Sequence, residues 1–151
     1  MKKILIIFTM LLLFGCEETN EIENIKQEQE EVYMKENIKL IIDNQEVEVE
    51  WLDNESTKAI KELLLNETIE INMSIYGGFE QVGSIGHKLP TNDVQLKTKA
   101  GDIVLYNGNQ LVIFFGSNSW SYTKLGELKI SDNEIKDLLN KESINVTLEL
   151  D

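Results

Sequence analysis

The 151-residue sequence contains no arginine, and it has only one cysteine, one histidine and one proline. A single cysteine excludes an intrachain disulfide. Zinc sites need three or four ligands at fixed spacing, and no such pattern surrounds the lone His87. The glycines match no phosphate-binding spacing. We therefore expect neither a metal ion nor a bound cofactor.

Positive charge is also scarce, because 14 lysines face 27 acidic residues and the formal net charge is −13. Removing the two positive charges of Lys2 and Lys3 from that total leaves −15 on the rest of the chain. Binding to nucleic acid depends on clustered Lys and Arg, so this class of partner is excluded. Anionic lipid head groups would repel the same surface. A role in cation buffering stays open, and it predicts stabilisation by calcium.

The chain begins with a short positive segment and an apolar run. Lys2 and Lys3 precede the run over residues 4–14, which only Thr9 interrupts. A membrane-spanning helix needs roughly 20 apolar residues, so this run is too short for one. Its length and its positive flank are typical of a secretory signal peptide.

The apolar run ends in Leu13-Phe14-Gly15-Cys16, which resembles the lipobox of bacterial lipoproteins. Phe14 is larger than the residue usual at its position. The resemblance implies a signal peptide over residues 1–15, cleavage before Cys16, and a diacylglyceryl group on its thiol, with or without a further acyl chain on its amino group. The protein would then be anchored at the extracytoplasmic face of the cell membrane by lipid. The alternative is an ordinary signal peptide with an incidental cysteine.

Residues 16–36 follow as a polar segment with eight glutamates and two lysines. An amphipathic helix needs an apolar stripe to bury, and none is present here. The composition predicts disorder or a fraying helix, which would act as a flexible acidic tether. The alternative is a tail that a partner recognises through its charge.

Residues 37–151 carry the patterns of a mainly β domain with two helices. A helix is predicted from one of the capping residues Asp53, Asn54 and Ser56 to about Leu65, and a second from Ile135 to Asn140 behind the capping box Ser131–Glu134. Eight alternating or apolar runs predict strands: 39–42, 47–51, 69–76, 94–98, 103–106, 110–115, a run ending at 130, and 144–150. A small closed eight-stranded barrel with its ends capped by the helices accounts for this order better than a doubly wound sheet.

The turns of this domain are less evenly marked. Asn107-Gly108 separates two apolar runs and is the strongest short hairpin signal, because both turn positions need a positive φ. The runs on either side are apolar on both faces, which predicts well-covered strands. The glycine-rich stretch 77–90 is interpreted as a loop, and the segment 116–123 as a loop or a sheet edge.

Three segments carry a family resemblance: Tyr76 to Gln81, the Leu89-Pro90 step, and the run from Gly101 to Tyr122. They resemble bacterial cyclophilin-like proteins, and the resemblance extends over most of residues 37–151. It implies an eight-stranded barrel with a helix across each end. Most members of that group have no assigned function, so the resemblance predicts architecture rather than activity.

The cyclophilins that give the fold its name catalyse proline cis–trans interconversion, whose barrier of ~18–20 kcal/mol is set by amide resonance. Their site resembles an apolar proline pocket beside an arginine. This sequence has no arginine, and lysine is a mobile point donor of different reach. We therefore expect a non-catalytic module, with a divergent prolyl isomerase as the alternative.

A ligand groove is predicted from aromatic residues that stand in loops or at strand ends, namely Phe79, Trp120 and Tyr122. Gln81 and Asn118 lie beside them and carry amides that can orient a ligand. The groove would take a peptide, a protein segment or a small molecule. The alternative is that these rings close one end of the barrel.

His87 is added to the candidate groove as the single histidine of a glycine-rich loop, although local hydrogen bonding explains it equally well. Ser84 and Ser119 are the serines to consider as nucleophiles, and no Gly-x-Ser-x-Gly elbow surrounds either. No catalytic residue is therefore assigned.

Overall fold

The structure is a computed structural model that describes residues 22–28 and 36–151. The predicted signal peptide and Cys16 lie outside the described residues. Within the predicted tether, residues 22–28 form helix α1, and all seven are exposed. Among the described residues, no helix combines the length and apolar character that crossing a membrane requires. Residues Glu36–Asp151 form a compact unit of their own.

That unit contains ten strands and two helices. In chain order they are β1 Ile38–Ile42, β2 Gln45–Val47, β3 Val49–Trp51, α2 Glu55–Leu64, β4 Ile69–Tyr76, β5 Glu80–Ser84, β6 Val94–Lys97, β7 Asp102–Tyr106, β8 Gln110–Phe114, β9 Ser119–Leu128, α3 Asp132–Leu139 and β10 Ser143–Leu150.

The strands pair antiparallel in the order β2-β1-β10-β4-β5-β8-β7-β9-β3, and β6 pairs with β9 beside this path. The last strand of the path approaches its beginning, since the Trp51 indole Nε1 of β3 donates to the carbonyl oxygen of Ile38 in β1, the strand next to β2, at 2.7 Å. The sheet is therefore a nearly closed barrel. The predicted mainly β, barrel-shaped fold is confirmed, with ten strands in place of the eight expected.

Two differences account for the strand count. The predicted strand 47–51 is two strands, because β2 pairs with β1 while β3 pairs with β9, so the chain changes partner at Glu48. The second difference is β5, which lies in the stretch interpreted as a loop. Segment 116–123 was also predicted as a loop or edge, and it contains the start of the ten-residue strand β9.

The barrel interior is filled by one apolar cluster that draws on nearly every strand. On β10, Ile144, Val146 and Leu148 point inward, as the alternating pattern predicts. Both helices add their apolar stripes, with Ile60 of α2 and Leu139 of α3 fully buried against the cluster. Capping boxes start both helices, at Asn54 for α2 and at Ser131 for α3.

The central strands β7 and β8 are buried on both faces. Ile103 and Leu105 of β7 belong to the interior cluster, while Val104 between them belongs to a second cluster on the opposite face. That outer cluster consists of Val104, Val112, Phe114 and Tyr122. The turn between the two strands has positive φ at Asn107 and Gly108, 51° and 72°, as predicted.

Candidate functional site

An open groove of about 390 Å³ lies over the outer cluster. Its volume falls in the range of small-ligand sites. The lining combines aromatic rings with a few polar groups on an apolar floor, and its members are Tyr76, Glu80, Val82, Tyr106, Gln110, Val112, Asn118, Trp120 and Tyr122. Five strands contribute: β4, β5, β7, β8 and β9.

Strand register places the first side of the groove. Glu80 of β5 lies opposite Tyr76 of β4 and Phe114 of β8. Two residues along, Val82 lies opposite Val112, so both side chains emerge on the same outer face. Gln81 lies between them and points the other way. Strand β5 therefore supplies the acid of the groove and, together with Val112 of β8, its apolar floor.

Strand β9 supplies the second side. The Tyr122 ring meets Tyr106 edge-on at 6.0 Å and 67°, and it meets Phe114 at 5.7 Å and 69°. The Asn118 amide Nδ2 donates to the Tyr122 hydroxyl at 3.0 Å. These contacts hold Tyr122 in one position, because edge-to-face packing and a hydrogen bond each restrict its ring.

The rim of the groove is aromatic and accessible. Tyr76 is 67% exposed and Trp120 is 56% exposed. Among the described residues they are the only aromatic members of the exposed large apolar set, and both line this groove. Aromatic rings left in water at one place are typical of binding surfaces.

Glu80 is the charged group of the groove, and it is only 6% exposed. Its Oε2 atom is buried and has no hydrogen-bond partner among the described residues. Burial without a partner disfavours the carboxylate, which raises the pKa of Glu80 to about 7. The pKa of Tyr122 is also raised, chiefly by burial and then by the charge of Glu80. Glu80 therefore exchanges its proton near neutral pH.

Three of the residues predicted to line a groove do so together: Asn118, Trp120 and Tyr122. Phe79 lies next to the groove without lining it. Its ring stacks on Phe114 at 6.5 Å and 4°, and it packs against the outer cluster. Phe79 thus supports the floor from the side.

Gln81 and His87 lie elsewhere. The Gln81 side chain is fully buried on the interior face, where its Nε2 donates to the carbonyl oxygens of Leu139 and Lys141 at 2.8 and 2.7 Å. It therefore satisfies carbonyl groups where α3 ends. His87 follows β5 in a loop, and its Nε2 lies 3.3 Å from Glu67 Oε1. Neither side chain reaches the groove.

Sequence reasoning missed six groove residues: Tyr76, Glu80, Val82, Tyr106, Gln110 and Val112. The available signal was alternation, since residues i and i+2 of a strand share a face. Recognising β5 as a strand would have placed Glu80 and Val82 on one face and Gln81 on the other. Within residues 22–28 and 36–151, no three His, Cys, Asp or Glu side chains gather as a metal site would require.

The comparisons with known proteins identify the class. The model of the cyclophilin-like family matches residues 40–149, so the chain belongs to the cyclophilin-like family. No curated protein sequence matches the chain. Among solved structures, the chain is similar to the solution structure of the hypothetical protein AF2241 from Archaeoglobus fulgidus. The identity is 15%, the match covers 74% of this chain and 92% of that chain, and the TM-score is 0.49.

Proposed function

We propose that the protein is a lipid-anchored binding module at the extracytoplasmic face of the cell membrane, and that its groove holds a peptide or another small ligand. The observation that carries the binding role is the groove itself, with Tyr76 and Trp120 exposed at its rim over an apolar floor. A folded domain gains nothing in stability from rings held in water, so a bound ligand is the natural use for them.

The anchor is supported by the residue pattern at the start of the chain. Two lysines, an apolar run and Gly15-Cys16 stand in the order that export and lipidation require. Since the acidic surface is repelled by anionic lipids, lipid on Cys16 would have to supply the attachment.

The groove is tested by titrating the purified protein with a panel of blocked amino acids that includes neutral, anionic and cationic members, followed by NMR. We expect the indole N–H signal of Trp120 to shift on binding. Trp51 is an internal control, because its indole N–H donates a hydrogen bond to the Ile38 carbonyl oxygen and lies outside the groove lining. Trp120→Ala should weaken binding about tenfold or more, as loss of an aromatic anchor does.

Leu65→Ala is the matched control, since Leu65 is similarly exposed and lies at the end of α2, outside the groove lining. Binding that leaves the Trp120 signal unmoved, or no binding by any member of the panel, would contradict the proposed role of the groove.

A divergent prolyl isomerase is the second candidate, favoured by membership of the cyclophilin-like family. The lack of any arginine counts against it, because the resemblance assigns arginine a part in weakening amide resonance. A protease-coupled proline-peptide assay separates the candidates. We expect the uncatalysed rate, and a clear acceleration that Trp120→Ala abolishes would establish the enzyme instead.

A further inference from the structure

The groove contains an acid, Glu80, that has no charged partner in the part of the chain that the structure describes. Glu80 is the only carboxylate among the lining residues, and no Lys or His lines the groove with it. Its Oε2 atom is buried and unpartnered among the described residues. A buried polar atom left without a partner costs free energy, so such a carboxyl group in the wall of a binding groove favours a ligand that brings a donor to it.

The rings around Glu80 favour a cationic donor over a neutral one. Tyr76, Tyr106, Trp120 and Tyr122 line the same groove. The face of an aromatic ring carries negative potential and attracts a cation within about 6 Å of its centre. A carboxylate and several ring faces are therefore attractive to the same kind of group.

Other ligand classes fit less well. An anion would meet the Glu80 carboxylate and a chain of formal charge −13. A calcium ion takes six to eight oxygen ligands, whereas the lining offers one carboxylate and two amide side chains, Gln110 and Asn118. A cation with an apolar body satisfies both the acid and the rings.

We infer that the groove binds an alkylammonium group, with its N–H donors on the Glu80 carboxylate and its methylene stem against the aromatic rings. A lysine side chain and a free alkylamine share this chemistry. The inference rests on the proposed function of the groove, and it names the class of ligand that the groove selects.

The inference predicts how affinity depends on pH. The polar and aromatic groups that line the groove with Glu80 are the phenols of Tyr76, Tyr106 and Tyr122, the indole of Trp120 and the amides of Gln110 and Asn118. Glu80 is the carboxyl group of this lining, and because its pKa in the empty groove is about 7, the affinity for an ammonium group should rise as the pH rises from 5.5 to 8. Binding should also release a proton near pH 7.

The test is calorimetric titration of the purified protein with Nα-acetyl-lysine methylamide and with its norleucine counterpart, which keeps the stem and lacks the ammonium group. At pH 8 we expect the lysine probe to bind at least about tenfold more tightly, as charge-assisted hydrogen bonds allow. The ratio of the affinity for the lysine probe to the affinity for the norleucine probe should fall towards one at pH 5.5. Butylammonium distinguishes the sources, because it competes with the lysine probe at similar affinity only if the peptide groups contribute little.

Glu80→Gln keeps the shape of the side chain and removes its charge, so the preference for lysine over norleucine should disappear. Glu70→Gln is the matched control, because Glu70 is exposed on β4 and outside the groove lining, and it should keep the preference. If the wild-type protein binds lysine and norleucine equally at pH 8, or prefers norleucine, the inference is overturned while binding in the groove stands. If neither these probes nor the wider panel binds, the proposed function fails with it.

Discussion

Glu80 illustrates how much a single position depends on its surroundings. In sequence it is one of 27 acidic residues, and nothing nearby distinguishes it. Strand pairing places it between Tyr76 and Phe114, where it is removed from water without gaining a partner for Oε2. Its raised pKa follows from that desolvation.

The raised pKa of Glu80 makes stability depend on pH. The pKa of about 7 in the folded protein exceeds the ordinary 4.5, so the native state holds a proton that the unfolded state releases between these values. The contribution of Glu80 to the free energy of unfolding is therefore fully present below pH 4.5, and this contribution is lost as the pH rises through the folded-state pKa of about 7. The loss amounts to at most about 3 kcal/mol.

Glu80→Gln should remove this pH-dependent loss of stability, because the glutamine side chain stays neutral at every pH tested. We expect the variant to have a higher free energy of unfolding than the wild-type protein at pH 8, as measured by urea unfolding. The difference between the two free energies should narrow towards pH 4.5. Glu70→Gln should track the wild-type protein throughout. A Glu80→Gln variant that is less stable at pH 8 would show that a partner satisfies the carboxylate in solution.

Gly83 of β5 is a second position set by close packing. A Cβ atom there would lie 2.6 Å from Ile71 Cγ2 and 2.7 Å from the Asn72 carbonyl oxygen on the adjacent strand. The backbone oxygen cannot move without disturbing β4. We expect Gly83→Ala to lower the free energy of unfolding by about 1–3 kcal/mol. Ser74→Ala at an exposed position of β4 should change it by less than about 0.5 kcal/mol. Similar values for both variants would contradict the close approach at Gly83.

At the scale of the element, the two helices begin with similar capping boxes that differ in their tertiary links. The Asn54 Oδ1 accepts from the backbone N–H groups of Ser56 and Thr57 at 3.1 and 3.0 Å, and its Nδ2 donates to the Lys124 carbonyl oxygen at 3.0 Å. Asn54 therefore both starts α2 and fastens it to β9. The Ser131 hydroxyl accepts from the Glu134 N–H at 3.3 Å and is exposed.

Asn54→Ala should consequently cost more stability than Ser131→Ala. Loss of a cap costs about 1 kcal/mol, and loss of the part-buried hydrogen bond to the Lys124 carbonyl oxygen adds to that cost. We therefore expect the free energy of unfolding to fall by about 1–2 kcal/mol for Asn54→Ala and by about 0.5–1 kcal/mol for Ser131→Ala. Parallel urea unfolding curves measure both. An equal or larger loss of unfolding free energy for Ser131→Ala would show that the hydrogen bond from Asn54 to β9 contributes nothing to stability.

Strand β9 is the element that creates the groove. Its first residues, 119–122, pair with β6, while its later residues pair with β7 and β3. Register shifts at Ile103 and Val104 mark an irregularity where it pairs with β7. A bulge changes the direction of a strand and re-aims its side chains. One strand therefore contributes both to the barrel wall and, through Trp120 and Tyr122, to the groove.

At the scale of the whole molecule, attachment to the membrane is a prediction that the sequence makes and that lies outside the described residues. Cys16→Ser removes the thiol that lipidation requires. We expect the variant to accumulate as an uncut precursor or to appear in the soluble fraction, without incorporation of labelled palmitate. The wild-type protein should stay with membranes in high salt and leave them in detergent, because attachment by lipid, unlike attachment by charge, withstands salt.

Thr19→Ala, three residues beyond the lipobox, is the control for the anchor and should behave like the wild-type protein. Membrane retention of a processed Cys16→Ser protein would refute lipidation at Cys16.

The sequence by itself predicted the elements whose signals are local. The alternation of β4 and β10, the Asn107-Gly108 turn and the capping box at Ser131 each depend on a few consecutive residues, and all were confirmed. Short-range periodicity and turn chemistry reflect backbone geometry, which does not depend on distant parts of the chain. The mainly β class and the family resemblance rest on the same kind of signal.

Only the tertiary structure decided which segments meet. Whether residues 47–51 act as one strand or two depends on partners that lie at β1 and at β9, and the sequence of the segment does not specify them. The groove likewise depends on strand pairing, because Glu80, Tyr106 and Trp120 are far apart in the chain and share a surface only through strand order. Side chains become a site when pairing between distant strands places them on one face, and that pairing is a property of the folded barrel.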